Sequence, residues 1–506
     1  MLIEALLAVT FASAFAVLLA PEKYAGRLAA ALSLLPLAGS LYAYATFDAS
    51  GNAVLGGTPA FETTMQWIEA GAYTINWHVG LDGISLPLVL LTTVLTTVAV
   101  VAAWGDIAER ESLFYALLLF TEASLVGVFA ALDFFVWFVF WEFVLVPMYF
   151  LVAVYGGPRR RYAAIKFFVY TNVASLVLFV GLMALVVATP VTSFGFEAIA
   201  AAVRAGEVSA AFGLSAGTLT AVAFLALFVG FAVKSAFVPF HTWLPDAYTE
   251  APTAVTVLLA GVVTKMGTYS LLRFNVTMFP DLLREWALPL AIVAVVTVLY
   301  GSLAALAQRD AKRLVAYTSI PSMGFVLLGL VASTNYGVAG ATFQMVSHGL
   351  LVSVLFLGVG YVETATGTRM LDKVSGLADR MPVAAAVLVA GAFGYMGLPL
   401  MSGFAGEFFV FTGSFAADYA NAQLVTAVGM FGIVVVAGYL LTFLQRVLMG
   451  PFEAPSEAVS AASRRDLAPA VVLVLLSILL GVAPGTLMGM IQNAAGALVG
   501  VIGGGL

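Results

Sequence analysis

Ionisable residues lie inside long apolar stretches of this sequence, where a charged side chain is costly. Glu142 lies in FVFWEFVLVPMYF, Lys234 in VGFAVKSAFVPF, Lys265 in LLAGVVTKMGTYS and Glu407 in SGFAGEFF. A charge at the centre of a bilayer costs roughly 2.5–3.5 kcal/mol on insertion scales, so such residues indicate a functional site. Carboxylates and amines are also groups that bind and release protons. The sequence therefore predicts a path of proton-binding groups inside membrane helices.

Three further ionisable residues in apolar runs are open to a structural interpretation. His348, in MVSHGLL, joins the main set because of the charged residues around it, although a lone histidine is more often a hydrogen-bonded core residue. Lys166 closely follows an Arg-Arg-Arg sequence, and a lysine so placed can extend to the interface. Glu122 lies in the fourth apolar run, and for it the two interpretations are equally balanced.

A buried acid and a buried amine can control each other's proton affinity. At an effective dielectric near 20, a pair at about 4 Å is worth roughly 4 kcal/mol, which changes proton affinity about a thousandfold. We hypothesise that Glu142 modulates Lys234 and that Lys265 and His348 carry the proton laterally with water. Glu407 would then pass the proton to one aqueous face.

Long apolar segments position these residues. Of the 506 residues, 62% are hydrophobic and 9% are charged, which is outside the range of soluble domains. A bilayer crossing needs about 20 apolar residues. Fourteen runs qualify, near 1–20, 27–47, 84–104, 113–131, 133–154, 163–189, 217–240, 251–274, 286–307, 312–332, 337–362, 383–416, 422–448 and 467–490. The sequence thus predicts an all-α polytopic membrane protein with about 14 transmembrane helices.

Proline and glycine predict two broken helices. Pro239 follows Lys234 in the seventh run, and the long twelfth run is interrupted ahead of Glu407 by Gly394, Gly397, Pro399, Gly403 and Gly406. If helices 4–8 and 9–13 are two five-helix units, each break falls in the fourth helix of its unit, which is typical of inverted repeats in transporters. The predicted segments are an N-terminal part with an acidic loop, repeat 1, repeat 2 and a C-terminal helix, at 1–112, 113–274, 286–448 and 467–506.

The distribution of positive charge predicts the orientation. Short cytoplasmic loops carry an excess of Lys and Arg. One side of the predicted topology holds Lys23, Arg27, Arg110, Arg159, Arg160, Arg161, Arg309, Lys312, Arg313, Arg369, Lys373, Arg380, Arg446, Arg464 and Arg465. The other side holds only Arg204, Arg273 and Arg284. Both termini, and the acidic loop 48–83, are therefore expected on the non-cytoplasmic side.

Several classes of function are disfavoured by what the sequence lacks. It has no cysteine and three widely spaced histidines, so iron–sulfur, thiolate-metal and histidine-metal sites are not expected, and no cofactor is predicted. There is no phosphate-binding glycine loop, and the basic residues flank membrane segments instead of forming a nucleic-acid surface. The first run lacks a basic leader, so we expect a retained helix. Because no energy source is visible, a driving partner is implied.

Several stretches resemble the NuoM-type antiporter-like subunits of proton-pumping respiratory complex I, a family related to Mrp antiporter subunits and membrane-bound hydrogenases. The similar stretches are DFFVWFVFWEFVLVPMY, RRRYAAIKFF, FAVKSAFVPFHTWLPDAYTEAPT, LLAGVVTKMGTY, RDAKRLVAYTSIPSMGF and LPLMSGFAGEF. The block that contains His241 and Asp246 is especially specific and adds these two residues as weaker candidates. Glu407 favours the M-type, because L-type and N-type subunits typically have lysine there.

The resemblance implies roles and partners. Glu142 and Lys234 would be a paired switch, Lys265 the central relay, His348 part of the hydrophilic axis and Glu407 the exit. It implies L-type and N-type neighbours, a peripheral redox arm, a quinone oxidoreductase activity of the whole complex, and a prokaryotic cell membrane. One departure is Ser322, where the family commonly has histidine, so water, Tyr317 or Thr318 is expected to complete the path.

Four other functions remain open from sequence. A sodium/proton antiporter subunit of the Mrp type, or the membrane subunit of an ion-pumping hydrogenase, would use the same buried groups. A solute permease would need a pocket-like set of polar residues, which the sequence does not contain apart from the charged axis. A structural scaffold would tolerate loss of Lys234.

Overall fold

The computed structural model describes residues 1–50, 57–455 and 464–502 and is built mainly from α-helices. The helices of the first half are α1 (Leu2–Leu18), α2 (Glu22–Ala45), α3 (Ser85–Ala102), α4 (Glu111–Ala130), α5 (Phe134–Tyr155), α6 (Arg160–Val187), α7 (Phe196–Arg204), α8 (Ala216–Lys234), α9 (Trp243–Glu250), α10 (Thr253–Leu258) and α11 (Thr264–Leu271). Those of the second half are α12 (Pro280–Glu285), α13 (Ala287–Leu306), α14 (Ala311–Val331), α15 (Asn335–Thr366), α16 (Leu377–Arg380), α17 (Pro382–Tyr395), α18 (Ser402–Phe415), α19 (Ala422–Leu448), α20 (Arg464–Val482) and α21 (Gly485–Ile502).

Enough of these helices are long and apolar to make a multi-pass membrane protein. Eleven helical segments in the described residues can each cross a bilayer, or twelve if the bent pair α20–α21 forms one span. Each of the fourteen predicted runs contains a helix, but α1 and α17 are shorter than a full crossing. The polytopic helical fold is confirmed, whereas the number fourteen, the segment boundaries and the inverted relation of the repeats stay predictions.

The predicted acidic loop contains a β-hairpin, which corrects the all-α expectation for this part of the chain. Strands β1 (Ala60–Ala70) and β2 (Tyr73–Leu81) pair antiparallel, and Gly71 takes a positive φ of 66° in the turn between them. β1 is largely exposed, whereas the end of β2 is buried. Part of this loop, residues 51–56, lies outside the described residues.

The C-terminal segment is also not the single helix that was predicted. α20 and α21 meet at an angle of 63° after Pro484, which cannot donate a backbone hydrogen bond and disfavours helix in the residue before it. The last four residues of the predicted segment, 503–506, lie outside the described residues. α21 packs against α15.

Both predicted helix breaks are present. After α8 the chain passes through Pro239 and a short 3₁₀ turn before α9 begins, and residues 396–401 separate α17 from α18. At the second break Gly397 has φ of 73°, a conformation that glycine adopts without the steric cost of a Cβ. The eighth span, Thr253–Val276, is continuous but contains two π-helical turns, Leu259–Val263 and Leu272–Val276.

The buried centre of the molecule is α15. This 32-residue helix packs against α14, α17, α18, α20, α21 and α3, and also contacts α10 and the first π turn. Almost all of its residues from Gly337 to Gly360 are buried. A helix that is surrounded on all sides can hold polar groups away from lipid, and α15 therefore positions the inner part of the site.

Candidate functional site

Lys234 is the last residue of α8, immediately before the break. Its side chain is 2% exposed, and its ammonium lies over the rings of Trp141 and Phe167, 5.2 and 5.8 Å from their centroids. The negative end of the helix dipole and the aromatic faces both favour a cation here. The break thus leaves the lysine at a helix terminus inside the protein.

Glu142 lies near Lys234 but does not form a closed ion pair with it. Glu142 follows Trp141 on α5, and its charge is close enough to act on Lys234. Among the described residues no ion pair within 4 Å joins the two side chains, and Oε1 of Glu142 is buried without a hydrogen-bond partner. In this structure the two charges are therefore near each other without direct contact, and aromatic rings lie beside the ammonium.

Lys265 and His348 form a direct contact at the centre of the molecule. The Lys265 ammonium is hydrogen-bonded to Nδ1 of His348 and donates to the carbonyl of Ala260, and both side chains are at most 1% exposed. Ala260 belongs to the π turn Leu259–Val263, and π turns leave carbonyl groups outside the regular α-helical pattern. Sequence predicted that these two residues act together, and the structure brings them together.

The hydroxyl group of Tyr395 lies beside Ser322, where this chain lacks the histidine that is common in the family. This hydroxyl donates to the carbonyl of Thr318 and lies 2.7 Å from the Ser322 hydroxyl, which then donates to it. The Tyr395 ring contacts the His348 ring, with centroids 5.7 Å apart. Tyr395 was not among the expected substitutes, and Tyr317, which was, lies under Arg313 and is partly exposed.

Glu407 is buried in the second broken helix. Its side chain is 6% exposed, and its Oε2 lies so close to the backbone of Gly397 that a Cβ there would approach it to 2.4 Å. Gln344, one turn before His348 on α15, is packed against neighbouring Gly406, and its Oε1 is buried without a hydrogen-bond partner. Gln344 was not predicted, and its approach to the segment that contains Glu407 is visible only in three dimensions.

A second cluster of charges lies at the start of α6 and α14, on the predicted cytoplasmic side. Asp246 on α9 accepts from Lys166 at 2.7 Å and from Arg313 at 2.8 Å. Lys166 also donates to the Thr242 carbonyl at 2.8 Å. Lys166 therefore holds α9 by an ion pair, and Asp246 joins elements of the two predicted repeats.

Two weaker candidates lie apart from the main set. His241, in the 3₁₀ turn after Pro239, is buried against the ring of Tyr300 at 4.8 Å. Glu122 on α4 is fully buried, and neither of its carboxylate oxygens has a hydrogen-bond partner among the described residues.

A buried ion pair that the sequence did not predict lies at the opposite end of the eighth span. Arg273, which was assigned to a loop, is 4% exposed in the second π turn and pairs with Asp82, which is 1% exposed. Burial alone would raise the pKa of Asp82, but Arg273 and two backbone N–H groups hold that pKa below its usual value. Lys312, also assigned to a loop, is buried and donates to the Ala251 carbonyl at 2.6 Å.

The chain has no cysteine, and the part of it that the structure describes contains no group of three or more His, Asp or Glu residues that could hold a metal ion. A chain of buried amines, carboxylates, imidazole and hydroxyls can hold and pass protons. The fold and this chain of groups together define a polytopic, antiporter-like membrane subunit.

Comparison with known families supports that class. Residues 131–434 match the family described as NADH:quinone oxidoreductase/Mrp antiporter, TM. The chain belongs to this family. The matched range includes every main candidate residue from Glu142 to Glu407.

Relatives extend the similarity over most of the chain. F(420)H(2) dehydrogenase subunit M of Methanosarcina mazei is 36% identical over 478 residues, which cover 93% of this chain and 92% of that protein. NAD(P)H-quinone oxidoreductase chain 4 1 of Synechococcus sp. (strain JA-2-3B'a(2-13)) is 42% identical over 382 residues, covering 74% and 69%. The predicted resemblance to M-type subunits is confirmed.

Solved structures agree on the fold. A chain of respiratory complex I from Thermus thermophilus superposes with a TM-score of 0.84 and 26% identity, covering 98% of this chain and 100% of that one. A chain of the Mrp complex from Dietzia sp. DQ12-45-1b gives 0.85 at 24% identity, covering 99% of this chain and 52% of that one. Both are parts of multi-subunit membrane complexes.

Proposed function

We propose that this chain carries protons across the membrane as a membrane-arm subunit of a complex I-like quinone oxidoreductase. The observation that carries the proposal is the buried contact between Lys265 and His348, with Tyr395 against the imidazole. A lysine and a histidine in direct contact would repel each other if both were charged, so they share protons more readily than they hold two. Such a pair is suited to proton transfer.

Each group has a distinct task in the proposal. Glu142 acts on Lys234 through its charge, and a movement that closes their separation would stabilise the ammonium and change when it releases its proton. Lys265 and His348 receive the proton and pass it toward Glu407. Because His348 Nε2 and Glu407 have no direct hydrogen bond in the described residues, water completes this step beside Tyr395.

Glu407 is the proposed exit residue. It follows the second helix break, where residues 396–401 form irregular backbone. Irregular backbone at membrane depth is tolerated where it lines a cavity or is buried in protein, which suits a site that exchanges protons with water. Glu122, Lys166, His241 and Asp246 take supporting roles, with the Lys166–Asp246 ion pair holding α9 in place.

The energy comes from partner subunits. Moving one charge against 100 mV costs about 2.3 kcal/mol, and we assign no redox centre or cofactor to this chain. The relatives named as F(420)H(2) dehydrogenase and NAD(P)H-quinone oxidoreductase subunits support a redox partner. We propose L-type and N-type neighbours in the membrane arm, a prokaryotic cell membrane as the location, and both termini on its non-cytoplasmic side.

The proposal is tested in membrane vesicles that hold the assembled complex and are supplied with its electron donor. Quinone reduction and pH-gradient formation are measured together for Lys234→Ala, Glu142→Ala and Glu407→Ala. We expect each variant to lose most of its proton gradient, because each removes a titratable step. Lys373→Ala and Glu285→Ala, which change exposed charges, are the matched controls and should pump normally.

Two results would contradict the proposal. Normal gradients in all three variants would show that these groups do not carry protons, and would favour a scaffold role. A sodium/proton antiporter is the second candidate, because the matching family is described as including Mrp antiporters. Gradient formation that needs Na⁺ and no electron donor would establish that candidate instead.

A further inference from the structure

The Asp82–Arg273 ion pair lies where Lys265 could lose its proton to the predicted non-cytoplasmic side. Lys265 is near the middle of the span Thr253–Val276, and Arg273 is near its end. Eight residues of helix correspond to about 12 Å. The pair is therefore about two turns from the central relay, between it and the nearer aqueous face.

Polar groups continue from Lys265 toward this end. Thr268 donates to the Lys265 carbonyl, and Tyr269 lies one turn beyond the lysine and under the Arg273 guanidinium, 5.1 Å from the ring centroid. The hydroxyl of Ser270 is buried without a hydrogen-bond partner among the described residues. Hydroxyl groups in series can support a chain of water, so this end of the helix needs protection against proton leakage.

The single carboxylate of Asp82 faces two positive groups, the Arg273 guanidinium and the start of α3. Asp82 neutralises the guanidinium in part, but its Oδ1 also accepts from the backbone N–H groups of Ile84 and Ser85, at 3.0 and 2.9 Å. These groups form the start of α3, which carries roughly half a positive charge from the helix dipole. The single negative charge of Asp82 is therefore shared between the full positive charge of Arg273 and the partial positive charge of a helix N-terminus.

The pair is also closed off from the outside. Both side chains are at most 4% exposed. Gly83 lies directly on α21, where an added Cβ would approach the Met490 carbonyl to 2.1 Å. A guanidinium does not release its proton in proteins, so it cannot act as a relay and can only repel an approaching proton.

We propose that Arg273, held in place by Asp82, is a fixed positive barrier that stops protons on Lys265 from leaking to the non-cytoplasmic side. The barrier would direct them laterally to His348. This inference rests on the proposed function, since it assumes that Lys265 carries protons. It adds Arg273 as a residue that directs the proton on Lys265 without itself binding or passing that proton.

The experiment measures passive proton leak, without electron donor, in vesicles that contain the assembled complex. A pH gradient is imposed, and its collapse is followed with a pH-sensitive dye. The pH gradient should collapse about tenfold faster with Arg273→Gln than with the unmodified protein, because the variant removes the positive charge that repels protons, and clefts lined by charge change local ion concentration by about tenfold or more. Arg273→Lys keeps the positive charge, so the pH gradient should collapse at the same rate as with the unmodified protein.

Further variants separate the barrier from simple damage to the fold. Asp82→Asn keeps the positive charge of Arg273, so the rate at which the pH gradient collapses should not increase. Arg273→Gln combined with Lys265→Ala should return the leak to the unmodified rate, because the proton source is removed. Arg284→Gln, at an exposed arginine paired with Asp281, is the matched control.

Clear outcomes overturn the inference. An assembled Arg273→Gln complex whose vesicles lose the pH gradient no faster than the unmodified complex would refute the inference. A faster proton leak that persists when Lys265 is also replaced would refute it as well. If Arg273→Gln fails to assemble, the neutral pair Arg273→Gln/Asp82→Asn takes its place with the same expectation. Because no donor is present, these results are independent of whether Lys234→Ala abolishes driven pumping, so the barrier and the proposed function can fail separately.

Discussion

Replacing Tyr395 by phenylalanine tests the part of the path that the structure adds to the sequence. The phenol hydroxyl joins Ser322 to the Thr318 carbonyl beside His348, and phenylalanine keeps the ring contact while removing both hydrogen bonds. Two buried hydrogen bonds at about 1 kcal/mol each sum to about 2 kcal/mol. At about 1.4 kcal/mol per factor of ten, a transfer step that depends on both slows about thirtyfold.

The assay follows donor-driven pH-gradient formation and quinone reduction in the same vesicles. We expect Tyr395→Phe to assemble, because its shape is retained, and to pump far more slowly. Tyr336→Phe is the control, since Tyr336 is half-exposed on the same helix as His348 and stacks on Phe409. An assembled Tyr395→Phe complex that pumps at the unmodified rate would refute a role for this hydroxyl.

Three further outcomes are expected. Gly397→Ala should lower pumping at normal assembly, because its φ of 73° disfavours alanine and the new Cβ would displace the Glu407 carboxylate; pH-gradient formation checks this. Asp246→Asn should destabilise the complex by about 2 kcal/mol through the loss of two charged partners, measured by thermal unfolding in detergent. Gly83→Ala should displace α21 from the Met490 contact, and faster proteolysis of the C-terminal helices would reveal it.

Features that depend on local sequence were predictable. Hydrophobic runs of about 20 residues identify membrane helices because the bilayer imposes that length. Breaks at Pro239 and at the glycines before Glu407 were predictable because proline removes a hydrogen bond and glycine permits positive φ. The charged candidates were visible because lipid makes each of them costly.

Features that depend on contacts across the fold were not predictable. Arg273 lies at the very end of the eighth predicted run, so sequence counted it with the loop that follows, and only the approach of Asp82, just after the hairpin, shows that it is buried. The hydroxyl of Tyr395 contacts that of Ser322, which lies 73 positions away in sequence, so sequence alone does not show that the two are neighbours. The hairpin has exposed polar residues on β1, and that composition is shared with ordinary loops.

The most direct measurement of the central claim is the number of protons moved per electron pair in assembled complexes that carry Glu407→Gln. Glutamine keeps the shape of the side chain beside Gly397 but cannot bind and release a proton at neutral pH. The proposed path predicts that this ratio, or the rate of coupled turnover, falls sharply. An unchanged ratio at an unchanged rate of quinone reduction would contradict it.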